Sequence, residues 1–119
     1  MNAAQMLSHC AEIQEVMNGK ALVGTPLMAK LFKGMIRNMV VNEKPYARNS
    51  RTHPQYVMVD ERELGTEKAR LLAAMNKMAS FSEAERRQLN HPLFGPMTDE
   101  ELGWGCYKHL DHHLTQFGV

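Results

Sequence analysis

The chain has 119 residues, 14 Lys plus Arg against 13 Asp plus Glu, a length that suits one domain, 1–119, with one hydrophobic core. A net charge of +1 makes no electrostatic case for nucleic acid or an anionic membrane, and no apolar run reaches the roughly 20 residues a bilayer span needs. Two cysteines make no disulfide framework, and the opening MNAAQMLSHC lacks the basic and apolar regions of a secretory signal, so a reduced, cytoplasmic protein is expected.

The pattern is helical almost throughout, and the expected class is all-α, an antiparallel bundle with an irregular connection in the middle. Residues 2–18 open on Asn2, a good cap, and stop at Gly19, which suits the residue after a helix end. Met6, Cys10, Ile13 and Met17 recur every three or four positions and form one stripe. His9 sits on or beside that stripe, where a polar ring needs a partner. Thr25-Pro26 starts a second helix that runs to about Val40. Leu27, Leu31, Met35 and Met39 mark its apolar face, with Phe32 and Ile36 beside it. NEKPYARNSRTHP, residues 42–54, has no periodicity and two prolines, so it reads as a connection. QYVMV can be extended but is not counted as a sheet.

Asp60 is the expected cap of a third long helix, about 61–79, whose seam is Leu64, Leu71, Met75 and Met78. Glu63, Glu67, Lys68 and Arg70 are assigned to its solvated face. Ser82 and Glu85 form a capping box for a short helix, and Thr98 and Glu101 form another for the last one, 99–117. Between them HPLFGP, residues 91–96, must turn. The stripe of the last helix is Leu102, Cys106, His109, Leu110, His113 and Phe117. Ten methionines suit irregular gaps in a helical core.

Three of the six histidines fall between positions 109 and 113. His109 and His113 are four apart, which stacks two side chains on one helical face. They interrupt an apolar stripe and so point inward, where two imidazoles can share one divalent ion or hydrogen-bond to carbonyls and carboxylates. His112 projects about 100° away from His113 and is read as surface-facing or as a support for the pair. His9 is a third inward-leaning histidine, and three histidines with an open position form a recognised catalytic metal arrangement. His53 and His91 precede prolines and receive no role. Glu12, three residues after His9, is read as a supporting or solvated carboxylate. Cys10 and Cys106 are read as small buried hydrophobes, against the alternative of a ligand or thiol nucleophile. Trp104 and Tyr107 are assigned to packing or an interface, and Arg62 to a surface ion pair with Asp60 or neighbouring glutamates, against the alternative of a buried carboxylate or a substrate anion.

AAQMLSHC, NEKPYARN, VMVDERE, HPLFG and the closing YKHLDHHLTQFGV occur in this order over nearly the whole chain. Together they resemble a bacterial branch, of unknown function, of the DinB-like metal-binding four-helix-bundle superfamily. HxxHHxxQ in the last stretch is the most specific element. The resemblance implies a metal site of His9, His109 and His113, with zinc as the first expectation and nickel as the alternative. It also implies an enzyme class, metal-dependent transferases that use a low-molecular-weight thiol. The other class is a non-catalytic binding or structural protein in which the metal pins helices. No catalytic or cofactor-binding side chain is assigned beyond the metal ligands. Members of the superfamily carry a further amphipathic helix before the histidine helix; here Met1 lies almost on the cap of the histidine helix, so that leading helix is expected to be missing. The expectation is therefore an uncovered apolar groove and a homodimer, with no nucleic-acid or membrane partner.

Overall fold

The computed structural model describes residues 1–47, 50 and 52–119. Among them are six α-helices: α1 (Ala3–Met17), α2 (Leu27–Leu31), α3 (Lys33–Val41), α4 (Leu64–Ser80), α5 (Glu83–Gln88) and α6 (Asp99–Gln116). The one sheet described is a hairpin of two-residue strands, β1 (Asn90–His91) and β2 (Gly95–Pro96), paired antiparallel around the HPLFGP turn. The all-α expectation holds. No helix described is long and apolar enough to cross a membrane.

Helix ends follow local chemistry. Asn2, Ser82 and Thr98 each close a capping box, accepting a backbone N–H while the Gln5, Glu85 or Glu101 side chain returns the bond. Gly19, at φ 116°, ends α1 in a conformation an L side chain resists. α4 starts three residues later than the sequence suggests. Its cap is Glu63, whose carboxylate accepts from the Gly65 and Thr66 N–H groups. Asp60 instead pairs with Arg62 at 3.1 Å.

α1 is the centre of the fold and is buried on most of its circumference. α4 is its main partner. Gln5 donates to the Asp60 carbonyl and Asn18 to the Ala74 carbonyl, so α1 and α4 run in the same direction. Two helices so placed need a long crossover between them, which residues 18–63 supply. α6 runs antiparallel to α1: His9 meets His109 and His113 at one end, and Met17 packs on Leu102 and Gly105 at the other. One apolar cluster holds Met6, Cys10, Ala11 and Leu71, and a second holds Met17, Met97 and Leu102.

Two expected apolar faces fail. The helix expected from Pro26 to Val40 breaks at Phe32 into α2 and α3, and its stripe faces water. Leu27 is 71% exposed and Leu31 67%, with Phe32, Met35 and Met39 exposed as well. α3 packs on α6 through other residues, including Val40 against Gly105 and Arg37 against Glu101 at 2.7 Å. In α4, Leu71 is buried and Met78 packs on the second cluster, but Leu64 and Met75 are exposed. The inward face carries Glu67, Leu71 and Ala74.

Glu67 and Arg70 are therefore not on a solvated face. Arg70 donates to Glu15 at 2.6 and 2.9 Å, to Glu67 and Ser8 at 3.4 Å, and to Glu12. Lys20 completes the cluster at 2.9 Å from Glu12 and 3.2 Å from Glu15. Glu12, read from sequence as supporting or solvated, is a buried member of this network. The cations and the Gln55 amide hold its carboxyl below the usual carboxylate range, against burial, which alone would raise it.

Candidate metal centre

α1 carries His9 inward because it lies beside Met6 and Cys10 on the buried side of the helix, and only 4% of it reaches solvent. α6 brings His109 and His113 over it by their four-residue spacing. The three ring centroids form a near-regular triangle: 5.1 Å from His9 to His109, and 4.7 Å from His113 to each of the others. One ring nitrogen from each residue lies within 4.8 Å of the other two. The three histidines singled out by helical face thus come together. His112 stands aside, half-buried, with its ring 4.9 Å from His113 and 5.4 Å from Tyr46.

Hydrogen bonds fix which nitrogen two of the rings, His9 and His113, present. His9 Nδ1 lies 2.7 Å from the Tyr56 carbonyl. A carbonyl only accepts, so Nδ1 carries the proton and Nε2 keeps its lone pair. His113 Nδ1 meets the Gln116 Oε1 atom at 3.1 Å, which directs the remaining His113 nitrogen to the centre in the same way. The Gln116 amide also donates to His112 Nε2 at 3.3 Å. His9 Nε2 and His109 Nε2 are 3.1 Å apart. Two nitrogens bound at about 2.0–2.1 Å to one tetrahedral ion lie about 3.3 Å apart, so the donor set fits a single ion.

The electrostatics agree. Burial, opposed at His9 by the Tyr56 carbonyl, lowers the pKa of all three ligand candidates, and the neighbouring imidazoles lower them further. His109 falls well below its ordinary value and His113 to about 4. Near neutral pH the rings are uncharged and present lone pairs.

The cysteines do not join the centre. Burial raises the Cys10 thiol to about 12 and also raises Cys106. Cys10 Sγ lies 3.7 Å from Met6 Sδ, and Cys106 packs in the second apolar cluster. Both therefore keep their protons at neutral pH. Arg62 reaches Asp60 and also buried Glu67, at 3.6 Å. Trp104 donates its indole N–H to the Asn42 carbonyl, and exposed Tyr107 leans on the Trp104 ring.

Several participants escape a sequence reading. Tyr56 contributes a backbone carbonyl, which carries no side-chain signature. Gln116 stands three residues after His113, and that spacing is the one signal that marks it. Lys108 is buried, donates to the Met39 and Asn42 carbonyls at the end of α3, and lies 4.4 Å from the Tyr46 ring centre. Tyr46, in the described part of NEKPYARN, turns its ring edge-on to His109 and His112. Residues 48, 49 and 51 of that connection lie outside the described residues. Burial raises the Tyr46 phenol to about 12, so it stays protonated. Tyr46, Trp104, Tyr107, Lys108, His112 and Gln116 line an open groove of about 830 Å³ that borders the histidine cluster. His53 and His91 turn out to be turn-formers. His53 Nδ1 accepts the Gln55 N–H, and His91 Nδ1 accepts the Leu93 and Phe94 N–H groups.

Comparisons with protein-family models, with curated proteins and with solved structures return no match.

Proposed function

We propose that this chain binds one divalent metal ion through His9, His109 and His113. Zinc is the expected ion and nickel the alternative, since imidazole suits both. The observation that carries the reading is the convergence of three neutral ring nitrogens, from two buried histidines and one half-buried, each within 4.8 Å of the others. Burying three imidazoles in one place costs desolvation, which a shared ion would offset. We also propose membership of the DinB-like superfamily, on the resemblance of the sequence stretches that imply these three ligand positions.

His9, His109 and His113 would hold such an ion, which would supply Lewis acidity toward water or a thiolate sulfur. The chain's own residues set the stage. The Tyr56 carbonyl and Gln116 hold two rings in the ligand tautomer. Tyr46, which keeps its phenol proton, forms with His112 the border between the cluster and the groove. We read that groove as the entry for a small substrate, and the activity as thiol-using group transfer in the cytoplasm. The second reading is a non-catalytic metal pin between α1 and α6, favoured by the depth of His9. Metal analysis of untagged protein followed by titration with a small thiol separates them. Uptake of the thiol at near one equivalent of metal favours transfer chemistry, and a metal that accepts no thiol favours the pin.

We further propose that the protein forms a homodimer. Leu27, Met28, Leu31, Phe32, Met35 and Met39 are exposed along α2, α3 and the residue between them, and large exposed apolar patches mark interaction sites.

A further inference from the structure

We propose that Gln55 is a positioning residue for the histidine centre, locking the Tyr56 carbonyl onto His9. Its side chain joins three segments. The amide nitrogen donates to Glu12 Oε1 at 2.8 Å and to the Ala21 carbonyl at 3.0 Å, while the amide oxygen accepts the Val23 N–H at 2.7 Å. Two acceptors on one end and a donor on the other fix the amide in one orientation. Its backbone N–H is also held, by His53 Nδ1 at 3.0 Å. His53 in turn donates through Nε2 to Thr25 Oγ1 at 2.9 Å.

The consequence lies one peptide further on. Tyr56 follows Gln55 in the same 3-10 turn, Pro54–Tyr56, and its carbonyl accepts a hydrogen bond from His9 Nδ1–H, with N and O 2.7 Å apart. Glu12 stands three residues after His9 on α1, on the same side of the helix. The helix thus holds the turn through Glu12 and Gln55, and the turn holds the helix's histidine through Tyr56. Arg70 and Lys20 hold Glu12 in its place. The buried ion cluster therefore reaches the histidine centre through one glutamine amide. Without that amide the turn keeps its local bonds but loses its register on α1. His9 is then free to rotate or to move its proton to Nε2, which removes the lone pair from the centre.

This inference rests on the metal reading for its affinity arm and stands apart from it in its tautomer arm. The first measurement is nitrogen-15 NMR of the His9 ring in metal-free protein. The second is Zn²⁺ affinity by competition with a chromophoric chelator. Wild type should show His9 protonated at Nδ1. Gln55→Met, similar in size but without the three bonds, should show mixed tautomers and about 10–100-fold weaker Zn²⁺ binding. Glu12→Gln still offers Gln55 an oxygen, so it should lose stability through Arg70 while keeping the His9 tautomer. If Gln55→Met does not fold, Gln55→Glu keeps the oxygen for Val23, loses both donations and is read in the same way. A wild-type tautomer and affinity in the folded Gln55 variant overturn the proposal. A shifted tautomer in a protein that binds no Zn²⁺ upholds the positioning role and removes the metal reading instead.

Discussion

His9 and His109, 100 positions apart in the chain, face each other Nε2 to Nε2 at 3.1 Å. Because His9 Nδ1–H donates to the Tyr56 carbonyl, its facing nitrogen is bare. The contact is satisfied by a proton on His109 or by an ion between the two rings, and His113 completes the third side for an ion.

Gln116 should matter more than His112. It orients His113 through Nδ1, so Gln116→Leu should weaken Zn²⁺ binding by about 10-fold or more. His112→Ala removes a ring outside the cluster and should leave the affinity near wild type. Calorimetric titration of the two variants checks the order, and the reverse order would reassign the ligand.

Arg70→Met should destabilise the fold by about 2–3 kcal/mol. It leaves Glu12 and Glu67 buried with less compensation. The effect stays below that of a fully buried pair because Arg70 and Glu15 keep contact with water and Lys20 still serves Glu12. Arg70→Lys should recover little, because an ammonium cannot span four partners as the guanidinium fork does. Urea denaturation of metal-free protein measures both.

How much of this was legible follows physical lines. α1, α5 and α6 could be read closely because capping boxes and the Gly19 stop act locally, whatever packs nearby. His9, His109 and His113 could be read because polar rings broke stripes that do become buried. The α2–α3 stripe misled because periodicity reveals an apolar face but not whether anything covers it. Glu67 and Arg70 misled because their partners, Glu12 and Glu15, come from another helix. The Tyr56 carbonyl and the Gln55 side-chain bonds depend on tertiary placement alone.

Acid should loosen the HPLFGP turn through His91. Its Nδ1 must stay unprotonated to accept the Leu93 and Phe94 N–H groups, and burial pushes its pKa from 6.5 down to about 4. Between those values the unfolded chain binds more protons than the folded one, so stability rises with pH. His91 therefore contributes stability above pH 6.5 that is lost as the pH falls toward 4. His91→Asn offers the turn a side-chain oxygen that does not titrate and should flatten that part of the profile. Denaturation midpoints of metal-free protein at pH 7 and pH 5 make the comparison. An unchanged pH dependence would remove His91 from the explanation.

Leu31→Glu should convert the proposed dimer to monomer without unfolding it, because Leu31 already faces water within one protomer. Light scattering at micromolar concentration reads the mass. A wild-type monomer would remove the dimer, and a dimer unaffected by Leu31→Glu would move its interface away from α2.

The most direct measurement is a Zn²⁺ titration of untagged protein stripped with a chelator, beside its His109→Ala variant. Wild type should saturate at one equivalent. His109→Ala, which removes the ring that faces both His9 and His113, should stay folded and lose most of that binding. Wild-type protein that takes up no Zn²⁺, or His109→Ala that still binds one equivalent with equal affinity, would contradict the metal centre.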